Sequence, residues 1–493
     1  MRDYEFGNHL MMLRKSQGFS QFQLGSLVGV TDKAVSKWET GAAKPKYEIL
    51  LKLASILKVD LSQLVPESTV TPSRETRELR DRKRALWGHA EHRLHEVYGQ
   101  NPPLIVSGRF SAEKNILEKT DAIFLFDVLR QLKEIAEAGK TMITPRGNIC
   151  CSFVAWLMGA TVINPLPAHS YCPKCHKVIF YPESAFGWDL PPAQCECGET
   201  VLCDGHNLPL EVCICGSSDP LQAVECNVTV SMLGKAWQCI LRNTQPLYSL
   251  KRFNLKSEAE DAIPCHRLYL YPRNGIGDYR NITDVPLMSE EQHWESVGEC
   301  PSFVLIPYDL DPECVTGKEG CLPDIREVLQ PDVMANAIRN HYSAQAKYDD
   351  SMKKKTPDPE PYLRNMTFGK YISLINAIPN TYTVPGPEEF AALVGFNDFT
   401  ELPLSRESLW NELLRISGGN YQTIGIISEI VYKTRKGSYS RKITEADKNL
   451  FRSLNLPEWF PQYAGNILYM FPQSHNISYG YQLLVTTWSK MQK

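Results

Sequence analysis

The stretch "SQFQLGSLVGVTDKAVSKWETG" at residues 20–41 decides the fold of the N-terminal part of the chain. Its apolar residues recur at helix spacing on both sides of a glycine, which predicts two short helices joined by a tight turn. Ser20 can cap the first helix, and Gly29 supplies the positive φ that the turn needs. The side chains expected to face inward are Leu24, Leu27, Val30, Val35 and Trp38. The stretch therefore predicts a helix-turn-helix within an all-α domain over residues 1–66.

The same residues resemble the Cro/C1 (XRE) repressor family. Gln21 opens the first helix of the pair, and Gly29 and Val30 form the turn. The family motif continues as "SKWETG" at residues 36–41. The resemblance implies that the second helix enters the major groove of duplex DNA by its N-terminal end. The residues expected to contact bases or phosphates are Gln21, Thr31, Asp32, Lys33, Ser36, Lys37 and Lys44.

The charge of this segment also favours DNA as the partner. Residues 1–65 contain nine Lys or Arg against six Asp or Glu, although the whole chain carries a formal charge of -3. A local excess of positive charge attracts nucleic acid. One small domain makes few contacts with DNA, so we expect a homodimer. The alternative is a small helical bundle that contacts protein.

The length and the cysteine content of the chain limit the class of protein to which it can belong. With 493 residues, 43% of them hydrophobic, the chain is long enough for several domains. It contains no apolar run of the roughly 18 residues that span a bilayer, and its start lacks the order of a signal peptide. We therefore expect a bacterial cytoplasmic protein that associates with the nucleoid and with no membrane. The odd total of 15 cysteines favours reduced thiols or a metal over disulfides.

Eight short motifs resemble, in order and spacing, the palm of the PolC-type DNA polymerase III alpha subunit. They are "YG" at 98–99, "RG" at 146–147, "SFVA" at 152–155, "NPLP" at 164–167, "YCPKC" at 171–175, "DLP" at 189–191, "CG" at 197–198 and "DGH" at 204–206. The resemblance implies that this region is an α+β polymerase-palm-like domain.

In that family two C-x-x-C pairs hold a zinc ion at this place. Here the second pair is one residue shorter, and the four expected ligands are Cys172, Cys175, Cys195 and Cys197. Four thiolates at this spacing can still surround Zn²⁺ tetrahedrally, so we expect a structural zinc knuckle. Spare ligands nearby are Cys203, His176 and His206. The alternative is a buried thiol cluster without a metal.

The resemblance to the polymerase resumes near residue 410, where the motifs follow the helical fingers. They are "ELLRISG" at 412–418, "TRKG" at 434–437, "ITEAD" at 443–447, "LPEWF" at 456–460 and "YMFPQSH" at 469–475. A capped helix is predicted at "TEADKNLFRSL", and strands are predicted at "HRLYLYP" and "SFVLIP". The predicted organisation is a helix-turn-helix domain at 1–66, a linker at 67–85, a palm-like domain at 86–240, a remodelled α+β region at 241–365 and a fingers-like helical region at 366–493.

The residues that carry catalysis in this family are altered here. The family's Asp-x-Asp strand aligns with "QAVECNVT" at 222–229, so Ala223 and Glu225 replace two metal-binding aspartates. Only composition suggests Asp309 or Asp311 as the third. Gln473 and Val485 replace a lysine and an arginine. The residues that remain for a nucleotide or phosphate are Arg146, Gly147, Ser152, Arg435, Lys436 and His475.

Loss of carboxylate ligands removes the metal ions that stabilise phosphoryl transfer. The leading hypothesis is therefore a repressor-like, sequence-specific regulator of transcription that carries a catalytically inactive polymerase-like body. That body would bind single-stranded or primed DNA, a nucleotide or a replication protein. One alternative is a nucleotidyltransferase that binds Mg²⁺ through rebuilt ligands, Glu225 among them. Another is a decoy that competes with the replicative polymerase for its partners.

Overall fold

The structure, a computed structural model, describes residues 4–45, 47–59, 64, 74–118, 122–214, 223–244, 248–255, 266–272, 287–288, 302–308, 323–348, 358–377, 391, 398–399, 402–417, 421–432, 443–467 and 470–492. The chain folds as two units, Met1–Arg84 and Ala85–Lys493. The first unit is helical, and the second is a mixed α/β body that is mostly helical.

Four helices open the first unit: α1 (Tyr4–Ser16), α2 (Gln21–Val28), α3 (Asp32–Glu39) and α4 (Tyr47–Leu57). The predicted cap is confirmed, because the Ser20 side chain accepts a hydrogen bond from the Gln23 N–H and the Gln23 side chain accepts one from the Ser20 N–H. The predicted turn is also confirmed, since Gly29 ends α2 at a φ of 84°. These two local features mark where α2 begins and ends.

The core of the first unit contains most of the side chains predicted for it. Leu24, Val35 and Trp38 are buried. The prediction for Leu27 is wrong, because its side chain is 56% exposed. Adjacent residues of a helix point about 100° apart, and Val28 takes the inward position in this short helix.

Helices continue from residue 74 to the end of the chain. They are α5 (Arg74–Tyr98), α6 (Leu104–Leu117), α7 (Ala122–Ala138), α8 (Phe153–Leu157), α9 (Leu210–Ile214), α10 (Leu233–Thr244), α11 (Ile325–Val328), α12 (Pro331–Tyr348), α13 (Phe368–Asn376), α14 (Arg406–Ser417), α15 (Tyr421–Tyr432), α16 (Glu445–Ser453), α17 (Phe460–Asn466) and α18 (Gln473–Met491). The capped helix predicted near residue 444 is confirmed as α16, with Thr444 and Asp447 forming a capping box. None of the described helices combines the length and apolar character of a membrane span.

Among the described residues, nine strands form two sheets in the second unit. They are β1 (Ile143–Arg146), β2 (His169–Tyr171), β3 (Val178–Phe180), β4 (Leu202–Asp204), β5 (Ala223–Thr229), β6 (Tyr248–Leu255), β7 (His266–Pro272), β8 (Leu287–Met288) and β9 (Ser302–Tyr308). The six-stranded sheet has the order β1-β5-β9-β7-β6-β8, and the small sheet has the order β3-β2-β4. Strands β7 and β9 confirm the two strands predicted from sequence.

The larger sheet takes strands from both sides of residue 240, where we predicted a domain boundary. β5 pairs antiparallel with β1 and parallel with β9, with Glu225 opposite Arg146 on one side and Val304 on the other. Helix α18 packs on β1 and on α12 and α13. Because of this packing, the start of α18 lies next to the end of β1, where the predicted phosphate-binding residues Arg146 and Gly147 lie.

Candidate DNA, metal and phosphate sites

The outer face of α3 carries four of the predicted DNA-contacting residues. Asp32, Lys33 and Lys37 are exposed, and Ser36 is half-buried. The pairs 32/36 and 33/37 are four residues apart, so all four positions share one face of the helix. The hydroxyl of Thr31 accepts a hydrogen bond from the Ala34 N–H at 3.3 Å and so caps α3. Lys44 is exposed in the segment that follows the helix.

The opposite face of α3 is held by a buried ion pair. Arg14 donates from Nε and Nη2 to the two carboxylate oxygens of Glu39, at 2.5 and 2.9 Å. The Gln21 amide donates to the same carboxylate at 2.7 Å. The structure therefore places the Gln21 side chain in this network. Its phosphate contact stays a prediction.

The four predicted cysteine ligands lie together. Their sulfur atoms are all within 4.8 Å of one another, with Cys172 to Cys197 at 3.5 Å and Cys175 to Cys195 at 3.4 Å. Zinc–sulfur bonds of about 2.3 Å in a tetrahedron place the sulfurs roughly 3.8 Å apart, close to these separations. The cluster could therefore hold a structural metal such as zinc. Among the described residues, this is the one group of three or more His, Cys, Asp or Glu with that geometry.

Local backbone geometry brings the two cysteine pairs face to face. The Cys172 N–H donates to the Lys177 carbonyl, and the Cys195 N–H donates to the Glu199 carbonyl, so each pair sits in its own tight turn. Removal from water raises the pKa of the Cys172 thiol, but hydrogen bonds from the backbone of Cys175 and Lys174 lower it to about 6. A thiolate is the form that binds a metal. The shortened second pair therefore does not prevent the four sulfurs from converging.

The three spare ligands have other neighbours. The Nδ1 atom of His176 is 3.2 Å from the Val97 carbonyl, and the Cys203 thiol is 3.8 Å from the Pro191 carbonyl. His206 is fully buried between aromatic rings, with the Trp188 ring centroid 4.4 Å away.

Three of the predicted phosphate-binding residues meet at the start of α18. The Arg146 Nη2 atom is 3.1 Å from His475 Nε2, and the Gly147 N–H points at His475 Nδ1 from 3.3 Å. Arg146 also donates to Asn227 at 3.3 Å. We call Arg146, Gly147 and His475 the arginine–histidine cluster. His475 lies more than 320 positions after Arg146 and Gly147 in the sequence.

This cluster has more hydrogen-bond donors than acceptors. Burial, together with the guanidinium groups of Arg146 and Arg406, lowers the pKa of His475 to about 3, so the ring is neutral. A neutral imidazole has a single acceptor nitrogen, yet both of its nitrogens face N–H groups. The Nε atom of Arg146 is buried and has no acceptor among the described residues. The oxygens of an anion would supply the acceptors that are missing.

Ser152 has hydrogen-bond partners outside the arginine–histidine cluster. Its hydroxyl donates to the buried carboxylate of Glu113 at 2.8 Å and accepts from the Ala155 N–H at 3.1 Å. Its phosphate role stays a prediction. Arg435 and Lys436 lie outside the described residues.

The positions at which this chain differs from the polymerase family are Ala223, Glu225, Gln473 and Val485. Gln473 accepts a hydrogen bond from the Ser405 hydroxyl at 2.9 Å, and Val485 is fully buried. On β5, Ala223 begins the strand and Glu225 is half-buried. Asn227, two residues further, donates to Gln482 at 2.6 Å. Asp309 and Asp311 lie outside the described residues.

Three carboxylates whose role we did not predict occupy the N-termini of helices, and two of them, Glu113 and Glu407, are buried. Glu113 accepts from the Phe153 and Val154 N–H groups of α8. Asp189 accepts from the first two N–H groups of α13, and Glu407 accepts from those of α18. Helix N-termini attract anions, and here the chain supplies the anion itself. Only Glu113 could have been noticed from sequence spacing, because it lies four residues after Arg109, its ion-pair partner.

Comparisons with known proteins support both resemblances. The family HTH_3, described as Helix-turn-helix, matches residues 10–64. The chain is 24% identical to the DNA polymerase III PolC-type of Thermotoga petrophila over 464 residues, or 78% of this chain and 32% of that protein. It is 24% identical to the same kind of protein from Ureaplasma parvum over 81% of this chain and 32% of the relative. With that of Pediococcus pentosaceus the identity is 31%, over 27% of this chain and 10% of the relative.

The chain spans about a third of the length of the curated relatives that it matches over most of its own length. The similarity to them is low in identity and broad in coverage. Residues 10–64 therefore form a helix-turn-helix domain of the Cro/C1 (XRE) family, in a chain of which 78% to 85% is similar to PolC-type DNA polymerase III.

Proposed function

We propose that the protein is a sequence-specific, repressor-like regulator that binds duplex DNA as a homodimer in the bacterial cytoplasm. The observation that carries this proposal is the helix α3, whose exposed face presents Lys33 and Lys37 while its buried face is fixed by Glu39. A recognition helix needs this combination, because base readout requires a rigid helix with free polar side chains on its outer side. The family match at residues 10–64 supports the same conclusion.

We infer that the body keeps the arrangement of a polymerase palm and fingers but serves to bind rather than to polymerise. Residues 86–240 would be the palm, and residues 366–493 the fingers. Ala223 offers no oxygen to a metal, and the neighbours of Glu225 in the sheet are Arg146 and Val304 rather than carboxylates. Two Mg²⁺ ions need several carboxylate oxygens in one place. These positions support loss of catalysis.

The arginine–histidine cluster is the proposed phosphate contact of the body. It joins a guanidinium group, a backbone N–H and a neutral imidazole at one place, and the described part of the chain offers no acceptor to one guanidinium N–H. This donor set suits a phosphate of primed or single-stranded DNA, or that of a nucleotide. We do not assign a phosphate to Ser152, whose hydroxyl is bound to Glu113.

The regulator proposal is tested by DNA binding of the intact chain. Sites enriched by the full protein from random duplexes should bind with an affinity that falls steeply as salt rises, because Lys33, Lys37 and Lys44 displace counterions from phosphates. Lys37→Glu should abolish binding. The matched control is Lys52→Glu, which makes the same charge change at an exposed position of α4. Equal loss of affinity in both variants, or no enriched site, would contradict specific recognition through α3.

A second candidate function is nucleotidyl transfer through Glu225, which lies opposite Arg146 in the sheet. One carboxylate next to the phosphate contact is the observation in its favour. Primer extension by the wild-type chain, with loss in Glu225→Gln, would support this alternative.

A further inference from the structure

A cavity of about 570 Å³ lies in the second unit between α13, α14 and the loop that follows β4. Phe186 and Trp459 form parts of its wall, and Gln473 reaches it from the start of α18. The volume is in the range of small-molecule sites in proteins. Among the residues that line the cavity in the described structure, none belongs to the cysteine cluster or to the arginine–histidine cluster.

Three carboxamide side chains on this cavity have unused hydrogen-bonding groups. Asn207 and Asn411 have no side-chain hydrogen bond among the described residues, and Gln473 uses only its oxygen, which accepts from Ser405. Asn411 is half-buried, and Gln473 is 9% exposed. Asn207 is exposed, so water satisfies its amide, but Asn411 and Gln473 place two less exposed amides on one cavity, where a ligand with matching groups can bind them.

The cavity carries little free charge. Its one arginine, Arg415, donates from two nitrogens to both carboxylate oxygens of Glu412, at 2.7 and 2.8 Å. Each charge of this ion pair has the other as its partner, so neither requires a charged ligand. The aromatic side chains of Phe186 and Trp459 instead suit a flat, weakly polar surface.

A carboxamide offers a donor and an acceptor side by side. It therefore pairs with a molecule that carries adjacent acceptor and donor atoms, as asparagine and glutamine do with the edge of adenine. An uncharged planar ring with such edges would fit both the amides and the aromatic walls. A triphosphate would fit less well, because Arg415, the one arginine of the described lining, is already paired with Glu412.

We propose that this cavity binds an uncharged, nucleobase-like heterocycle. The site goes beyond the proposed function, which places only phosphates, at the arginine–histidine cluster. Asn411 and Gln473 would read the edge of the ring, and Trp459 would contact its face.

Ligand-detected NMR on the full-length protein tests the proposal, with adenine, uracil and hypoxanthine as probes and adenosine triphosphate as the charged comparator. At least one free base should bind, and more tightly than the triphosphate. Asn411→Leu should weaken that binding about tenfold or more, because it removes one paired donor and acceptor. Asn449→Leu is the matched control, since Asn449 is exposed on α16 and does not line the cavity.

A second variant, Ser373→Phe, fills the cavity from α13 and should abolish binding of the base. The thermal melting curve of each variant shows whether it is folded. Failure of all three bases to bind at millimolar concentration would overturn the inference. Binding that persists in both folded cavity variants would also overturn it. A triphosphate that binds more tightly than any base, and is lost in Arg146→Gln, would contradict the cavity site while supporting the proposed phosphate contact.

Discussion

Replacing Arg14 by leucine tests how far the DNA-binding fold depends on one buried ion pair. Arg14 and Glu39 have side chains that are 9% and 3% exposed. In Arg14→Leu, Glu39 stays in the core with the Gln21 amide as a remaining donor. Removing one partner of a buried pair costs about 3–5 kcal/mol, because the other charge is left uncompensated. At ~0.1 kcal/mol per residue, the unit Met1–Arg84 has a total stability of roughly 8 kcal/mol.

Hydrogen exchange of the full-length chain, followed by mass spectrometry, measures the effect locally. A loss of 3–5 kcal/mol corresponds to roughly 150- to 5,000-fold faster exchange of the most protected amides of α1, α2 and α3. Exchange in the second unit should not change. Specific DNA binding should weaken with the loss of the folded population.

Two controls define the outcome. Lys15→Leu removes an exposed charge one residue away and should change stability by about 0.5 kcal/mol or less. The double variant Arg14→Leu/Glu39→Leu removes both charges and should recover most of the loss, since a pair of apolar side chains can replace a buried ion pair. An acceleration below about fivefold in Arg14→Leu would refute the reasoning, because the pair would then contribute no more than an exposed one.

Three further outcomes are expected. Zinc should co-purify at about one ion per chain, and its removal by a chelator should lower the melting temperature, because the metal holds two turns together. Metal analysis of the double variant Cys172→Ser/Cys175→Ser should find no zinc. An unchanged zinc content in this variant would place the site elsewhere. No primer extension is expected with Mg²⁺ and deoxynucleotides, and activity that depends on Glu225 would contradict the binding role of the body. The melting temperature of the second unit should fall as pH drops from about 6.5 towards 4, since burial lowers the pKa of several histidines that take up a proton only on unfolding. Burial lowers the pKa of His169 and His341 to about 4, and that of His206 and His475 to about 3. A scan by differential scanning calorimetry should show a shallower fall in His341→Gln, and an unchanged profile would contradict this cause.

Local features were predictable from sequence because they depend on neighbouring residues. The cap at Ser20, the turn at Gly29 and the capping box at Thr444 each use contacts within three or four positions. Leu27 was predicted wrongly because periodicity does not decide which of two adjacent apolar side chains is inward. In α2 that choice depends on how the helix packs on α3 and α4.

Long-range contacts were beyond sequence reasoning, even where their residues had been named. The family resemblance identified Arg146 and His475 separately, but only the packing of α18 on β1 brings them within 3.1 Å. The role of the Glu407 carboxylate was not predicted. It caps α18 from 66 positions earlier in the chain, and a contact over that distance produces no local sequence pattern. The four cysteines were predicted as a set because they form two pairs in the motif. The members of each pair are so close in sequence that they lie in one turn.

The parallel pairing of β5 with β9 limits how the chain can be divided. Residues 223–229 are bonded in register to residues 302–308, and the segment between them contributes β6, β7 and β8 to the same sheet. A fragment that ended at residue 240 would keep β5 but lose its partner on one side. An unpaired strand edge of this kind, with Val224, Cys226 and Val228 along it, invites association with other chains. Soluble fragments of the body should therefore extend past residue 308, and a proteolytic cut between 245 and 301 should leave two pieces that stay together until they are denatured.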